Sequence, residues 1–164
     1  MKRGLFILTI CILCILTTGC KKETTTQTNY IEQSSELLSV VTDGALSGNK
    51  EKVLSTFPDA MKKTLNKVIT EQNLNTNTNN LKKKYGNDVT VSYEVKSLEY
   101  QNNEDTNHLN KVYSYVYYKD LKISECYKIV GNITYSGSKK ETTESIEDTY
   151  YCNFDGEWKL LMTI

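Results

Sequence analysis

The spacing of hydrophobic and polar positions changes near the middle of the chain. In the N-terminal half, apolar residues recur every three or four positions, which is typical of helices. After Asp88 they alternate with polar residues, which is typical of strands with one buried face. The pattern therefore predicts helices first and an antiparallel sheet afterwards, an α+β fold.

Three helices are predicted before residue 70. The first is expected to begin at Asn29, because Asn29 and Glu32 have the spacing of a capping box, and to end at Gly48. Asn49 can cap a short second helix, and Pro58 fits the first turn of a third. The apolar residues of these helices are Ile31, Leu37, Leu38, Val41 and Ala45; Val53, Leu54 and Phe57; and Met61, Leu65, Val68 and Ile69.

Two other segments give weaker signals. The polar run 73–80 is expected to be a linker without regular structure, followed at 81–85 by at most one helical turn that Gly86 ends. Residues 108–118 place apolar side chains at helical spacing, yet their sequence VYSYVYY also favours a strand. We expect a short helix there, because Asn107 can cap it.

Four strands are predicted, in the ranges 88–100, 121–136, 144–154 and 157–164. In the first strand the apolar alternation slips by one residue after Val95, which predicts a β-bulge near Lys96 and Ser97. Residues 137–140 and the pair Asp155-Gly156 have the composition of turns. One face of the second strand is expected to carry Tyr127, Ile129, Ile133 and Tyr135.

The first 19 residues have the composition of a signal peptide. Lys2 and Arg3 precede the apolar run Leu5–Leu16, which would span about 18 Å as a helix, well short of the ~30 Å hydrocarbon core of a bilayer. We expect residues 1–19 to be cleaved. The alternatives are an uncleaved anchor and an ordinary secretory signal that is cut near Gly19 and leaves Cys20 unmodified.

The residues Leu16-Thr17-Thr18-Gly19-Cys20 resemble the lipobox of bacterial lipoproteins, although that family prefers leucine where this chain has Thr17. The resemblance implies a lipidated Cys20, with palmitate among its acyl chains, as the new N-terminus. It also implies a location on the extracytoplasmic face of the cell membrane, where two acyl chains would hold the protein firmly at the bilayer. Residues 20–28 would then be the lipidated cysteine and a flexible tether, and residues 29–164 the folded domain.

Length and charge limit the class of protein. Removing residues 1–19 from the 164-residue chain leaves 145, enough for one domain but too few for a two-lobed solute-binding protein. Lys2 and Arg3 leave with the leader, so 18 basic residues face 20 acidic ones, and no arginine remains. This balance gives no electrostatic basis for binding nucleic acid.

The order of elements after residue 29 resembles the NTF2-like (cystatin-like) superfamily. The stretches that carry the resemblance are Gly44–Asn49 leading into Val53-Leu54, Leu81–Val95, Lys122–Val130 and Asp155–Leu161. The resemblance implies a curved four-stranded antiparallel sheet that wraps the N-terminal helices into a cone. In relatives with this fold the cone can hold a small molecule or an active site.

The predicted domain contains two cysteines, Cys126 and Cys152. A hairpin turn centred near Lys139 would place them opposite each other on adjacent antiparallel strands, at a separation that suits a disulfide. An extracytoplasmic compartment permits such a bond. Two buried free thiols are the alternative, and a metal role is not expected because companion ligands are missing.

Residues with catalytic potential are few and scattered. The single histidine, His108, is expected to be solvated, and a solvated surface best explains the acidic residues Glu104, Asp105, Glu144, Glu147 and Asp148. The tyrosines 113, 115, 117, 118 and 127 either line a binding surface or pack in the core and sheet. The sequence shows no nucleophile elbow and no phosphate-binding loop, so no catalytic residue, cofactor or metal is expected.

These observations together predict a non-enzymatic binding or accessory module of the cell envelope. It would contact the membrane through its lipid anchor and have an envelope protein as partner. The alternative is an NTF2-like domain that binds or transforms a small molecule in its cone.

Overall fold

The computed structural model describes residues 27–117 and 121–162, which form an α+β domain with five helices and an open, five-stranded antiparallel sheet. Four helices precede the sheet, and the fifth lies between its first two strands. The helices are α1 (27–47), α2 (Lys50–Leu54), α3 (Asp59–Val68), α4 (Glu71–Tyr85) and α5 (Asn103–Tyr117). The strands are β1 (Thr90–Tyr100), β2 (Ile123–Gly137), β3 (Lys140–Ser145), β4 (Thr149–Phe154) and β5 (Glu157–Met162).

The predicted boundary between α1 and α2 is confirmed. Gly48 has a φ of +69°, which an L side chain rarely adopts, and the Asn49 side chain accepts a hydrogen bond of 2.9 Å from the backbone N–H of Lys52. The predicted start of α1 is wrong, because residues 27 and 28 are already helical and Asn29 lies inside the helix. Residues 27 and 28, which the sequence assigns to the tether, therefore belong to α1.

The expected linker at 73–80 is wrong, because these residues form the middle of α4. The Thr70 side chain caps the helix by accepting from the backbone N–H of Asn73 at 3.1 Å. A narrow buried stripe of Leu74, Thr78 and Tyr85 is enough to fix the helix, although most of its surface is polar. The Thr78 hydroxyl donates to the carbonyl oxygen of Ala45 at 3.0 Å, which ties α4 to α1.

The helix expected near residues 108–118 is present as α5 but begins earlier. Asn102, and not Asn107, caps it, because the Asn102 side chain accepts from the backbone N–H groups of Glu104 and Asp105 at 2.8 and 3.1 Å. Asn107 lies within the helix. The first turn of α5 could not be recognised in the sequence, because residues 103–107 are all polar.

The sheet is organised around β2, with strand order β1-β2-β4-β5 and β3 paired to β2 as well. The expected single return strand at 144–154 is wrong: β3 pairs with the C-terminal half of β2, β4 pairs with its N-terminal half, and 146–148 separates them. The sheet therefore has five strands and not four. The β-bulge predicted near Lys96 is confirmed, because the register between β1 and β2 shifts between Val95 and Ser97.

Helices cover both faces of the sheet. On one face, Leu38 of α1 packs in a core with Leu98, Ile129, Tyr151 and Leu160. On the other, residues of α3 and α5 pack against Cys126, Cys152 and Leu161. At the β5 edge, the backbone N–H of Leu160 donates to the carbonyl oxygen of Thr56 at 3.0 Å, so the segment between α2 and α3 covers that edge.

The predicted pairing of the two cysteines is confirmed. Cys126 and Cys152 are directly opposite each other in the register of β2 and β4, with a Cα–Cα separation of 4.1 Å, and their sulfur atoms lie at disulfide distance. Both side chains are fully buried in the core beneath α3 and α5.

Within residues 27–117 and 121–162, no helix has the length and apolar character needed to cross a membrane.

Reduction of the cysteine pair should destabilise the domain. The two cysteines are 26 residues apart in sequence, so a disulfide between them should raise the free energy of unfolding by about 3 kcal/mol in the chain-entropy description. Chemical unfolding with and without reductant should show this difference in the natural protein. A matched Cys126→Ala/Cys152→Ala protein should show none, and an equal response of both proteins to reductant would contradict the bond.

Candidate functional site

The main candidate site is a cavity of about 610 Å³ between α1 and the sheet, which we call the sheet cavity. Its walls come from α1 and from every strand of the sheet, and they combine apolar, aromatic and acidic side chains. The lining residues are Leu38, Tyr93, Ile133, Tyr135, Glu144, Ser145, Ile146, Glu147, Thr149 and Met162. The volume lies within the range of small-molecule sites in proteins.

Strand register brings three of these residues into one row. Tyr93 of β1 is opposite Ile133 of β2, and Ile133 is opposite Glu144 of β3. Cross-strand partners project from the same face of a sheet, so their side chains line one wall of the sheet cavity. Tyr135 lies two residues further along β2 and projects from the same face.

The two tyrosines of the sheet cavity are in a partly dry environment. Burial raises the pKa of the Tyr93 phenol, and a hydrogen bond with Thr42 offsets part of that rise. Burial also raises the pKa of Tyr135, with smaller contributions from Tyr93 and the Glu144 carboxylate. Tyr85 of α4 stacks on Tyr135 with ring centroids 5.5 Å apart, which holds the Tyr135 ring against the helix layer.

The acidic residues of the sheet cavity are at its solvent-exposed side. Glu144 belongs to β3 and Glu147 to the segment between β3 and β4, and both are exposed. Within the described ranges, neither carboxylate has a hydrogen bond or an ion pair with another side chain. They are therefore available to a ligand.

A second feature is an aromatic cluster where α1 crosses the sheet, formed by Tyr30, Tyr100, Tyr127, Tyr151 and Trp158. Ring centroids lie 4.6 Å apart for Tyr30 and Trp158, and 4.7 Å apart for Tyr151 and Trp158. The Tyr127 hydroxyl donates to Glu125 and the Tyr151 hydroxyl to the Gln33 side chain, both at 2.6 Å. The ring contacts of Tyr30 and the Tyr151–Gln33 hydrogen bond fix α1 on the sheet.

The hydroxyls of Tyr127 and Tyr151 in this aromatic cluster resist ionisation. Burial, followed by the hydrogen bond to Glu125 and its charge, raises the pKa of Tyr127 far above its usual value. Burial and the neighbouring Tyr30 raise the pKa of Tyr151 to about 12.

A third feature is an apolar groove of about 450 Å³ between α1, α2, α3 and α4. Val41, Val53, Phe57 and Leu74 are among its lining residues, and Asn73 and Asn77 are also part of its wall. Met162 lines both this groove and the sheet cavity. On α5, the outward side chains of Val112, Tyr115 and Val116 form a separate exposed apolar face.

The structure distributes the residues singled out in the sequence over different places. Cys20 and Tyr118 lie outside the described residues. The tyrosines do not form one surface, because Tyr113 is buried on the core side of α5, Tyr115 is 82% exposed, and Tyr127 belongs to the aromatic cluster. His108 is exposed on α5. The five acidic residues are exposed as expected: Glu104, Asp105, Glu144, Glu147 and Asp148.

Sequence reasoning missed the sheet cavity. The alternation predicts one buried face for β1 and places Tyr135 with Ile133 on one face of β2, but it carries no information about what covers these faces. The sequence pattern indicates only solvated positions for Glu144 and Glu147, because their neighbours across the sheet depend on where the return strand breaks.

In the part of the chain that the structure describes, no three His, Cys, Asp or Glu side chains are grouped so that they could hold a metal ion.

Comparisons with known proteins found no match: no protein-family model, curated protein or solved structure is significantly similar to this chain.

The aromatic cluster should make the domain sensitive to alkaline pH. A phenol whose folded pKa is raised contributes stability that is complete below the unfolded value of about 10 and is lost as the pH rises through the folded value. The free energy of unfolding should therefore fall between about pH 10 and pH 12, the pKa of Tyr151 being about 12. Urea unfolding across this range and tyrosinate absorbance would measure it.

The matched pair for this test is Tyr151→Phe and Tyr115→Phe. Tyr151→Phe should flatten the fall in stability because it removes one of the late-ionising phenols. Tyr115→Phe, at an 82% exposed position, should leave it unchanged. Equal slopes in all three proteins would show that the aromatic cluster does not cause the alkaline loss.

Proposed function

We propose that this chain is an extracytoplasmic lipoprotein of the cell membrane, anchored through Cys20, and that its folded domain is a non-enzymatic binding or accessory module of the cell envelope. The observation that carries the proposal is the leader: a basic start, a short apolar run and small residues directly before Cys20.

The number of residues between Cys20 and the folded domain is compatible with this arrangement. Residues 21–26 separate Cys20 from Gln27, whose side chain donates to the backbone carbonyl oxygen of Leu98 at 3.4 Å. Seven residues span at most about 25 Å when extended. A lipidated Cys20 would therefore keep the N-terminal end of α1 and the neighbouring end of β1 near the membrane surface.

The cysteine pair also supports an extracytoplasmic location. Cys126 and Cys152 lie at disulfide distance, and stable structural disulfides form mainly in oxidising compartments.

We further propose that the domain is a member of the NTF2-like superfamily, with the helices and sheet arranged as a cone. Its α+β composition, the antiparallel sheet that follows the helices and the sheet cavity beneath α1 support this proposal.

A second candidate function is the binding or chemical transformation of a small molecule in the sheet cavity. The specific observation that favours it is the cavity itself, about 610 Å³ with tyrosines and carboxylates on its walls. Dense packing between α1 and the sheet would have argued against this function.

Replacing Cys20 should remove the anchor. In cells fed an alkyne analogue of palmitate, the natural protein should be labelled and sediment with membranes, because Cys20 carries the acyl chains. Cys20→Ala should be unlabelled and either soluble or held as an unprocessed precursor. Cys14→Ala is the matched control within the same leader and should behave like the natural protein. Unchanged labelling of Cys20→Ala would refute the lipobox.

An accessory module should have a partner at the membrane. Cross-linking of the tagged protein in intact cells, followed by mass spectrometry, should identify the same envelope protein in repeated experiments. The cross-link should weaken strongly in Cys20→Ala, since a released domain loses the high effective concentration at the membrane surface. An uncross-linked monomer would argue against the accessory function and in favour of a soluble ligand in the sheet cavity.

A further inference from the structure

We propose that the sheet cavity binds an organic cation with an apolar body, such as an amine or quaternary ammonium compound that carries an aromatic or aliphatic group. The inference rests on the proposal that the domain is a binding module, and it names the chemical class of ligand for one particular cavity.

The charged side chains that line the sheet cavity are all negative. Glu144 and Glu147 are the charged residues among those that line it, and no lysine of the described chain contributes to the wall. Neither carboxylate has an ion pair with a described residue, and Lys84 of α4 interacts with Glu144 only at longer range, so the wall of the sheet cavity keeps a net negative charge. A concave surface lined by carboxylates concentrates cations and repels anions.

The aromatic side chains of the sheet cavity fit the same ligand. Tyr93 and Tyr135 line it, and the face of a tyrosine ring attracts a cation within about 6 Å. The neighbouring ring already shows this interaction: the Lys84 ammonium lies 5.0 Å from the centroid of Tyr85, which stacks on Tyr135. This wall therefore carries aromatic groups and a carboxylate close together, as recognition of an ammonium group requires.

The apolar residues of the sheet cavity favour an organic cation over an inorganic one. Leu38, Ile133, Ile146 and Met162 provide surface that water covers poorly and that an apolar group would cover well. The volume of about 610 Å³ exceeds what a bare ammonium group fills. An organic cation satisfies both parts of the site, with its charge at Glu144 and Glu147 and its apolar body against α1 and β2.

A charge series of similar small molecules tests the ligand class. Dissociation constants of benzyltrimethylammonium, benzyl alcohol and phenylacetate would be measured by saturation-transfer NMR on the full-length chain in dodecyl maltoside micelles, with empty micelles subtracted. The cation should bind at least ~10-fold more tightly than the neutral alcohol, and the anion most weakly, because the carboxylates and the tyrosine faces favour positive charge.

Matched variants then locate the binding. Glu144→Gln/Glu147→Gln should abolish the preference for the cation but leave benzyl alcohol binding within about twofold, since it removes charge and little volume. Glu141→Gln is the control, because Glu141 is on the same strand but pairs with Ser136 and projects from the other face. It should retain the preference. Folding of each variant is checked by its unfolding transition.

Each contrary result has a distinct meaning. Equal affinities for the three compounds would overturn the cation class but leave a binding module in place. A cation preference that survives Glu144→Gln/Glu147→Gln, or that Glu141→Gln removes equally, would place the cation elsewhere and overturn the site. Absence of binding by all three compounds would overturn the inference. Palmitate labelling at Cys20 is independent of these outcomes, so it would still test the anchored module separately.

Discussion

The two-residue alternation of side chains along β2 is the constraint on which the rest of the structure depends. β2 is hydrogen-bonded to β1 on one side and to β3 and β4 on the other, so its register sets that of three strands. Ile129, Ile133 and Tyr135 project toward the helix layer of α1 and α4, and Cys126 toward α3 and α5. A shift of β2 by one residue would exchange these two sets and bury the wrong side chains under both layers.

Irregularities in the strands preserve this alternation. The bulge between Val95 and Ser97 keeps Tyr93 and Leu98 on one face although they are five residues apart. A second irregularity between Ile123 and Glu125 allows Ile123 to share the core of Cys126. The first could be predicted from the sequence, because the apolar phase slips visibly. The second could not be predicted, because only Ser124 and Glu125 lie between Ile123 and Cys126 and too few residues precede Ile123 in the strand to show its phase.

Sequence patterns predicted correctly those features of the fold that depend on residues close together in the sequence. The cap at Asn49 and the stop at Gly48 depend on residues close in sequence. The facing cysteines depend on the hairpin and also on a shift of one residue between the β2–β3 and β2–β4 registers. α4 and the break between β3 and β4 depend on distant partners. Thr78 is polar, but its hydrogen bond to Ala45 and its burial against α1 make the helix part of the core. The positive φ of Asp148 accompanies the break, and the residues beside it then line the sheet cavity. The sheet cavity could not be predicted, because it forms beside the break between β3 and β4, which the alternation of polar and apolar residues does not indicate.

Met162 forms part of the wall of the sheet cavity and also of the apolar groove. Methionine is unbranched and flexible, so this shared wall can change its shape without moving the backbone. A molecule that displaces the Met162 side chain from one space pushes it into the other. Occupants of the two spaces would therefore influence each other's affinity reciprocally, with a coupling energy set by the positions that one thioether side chain can adopt.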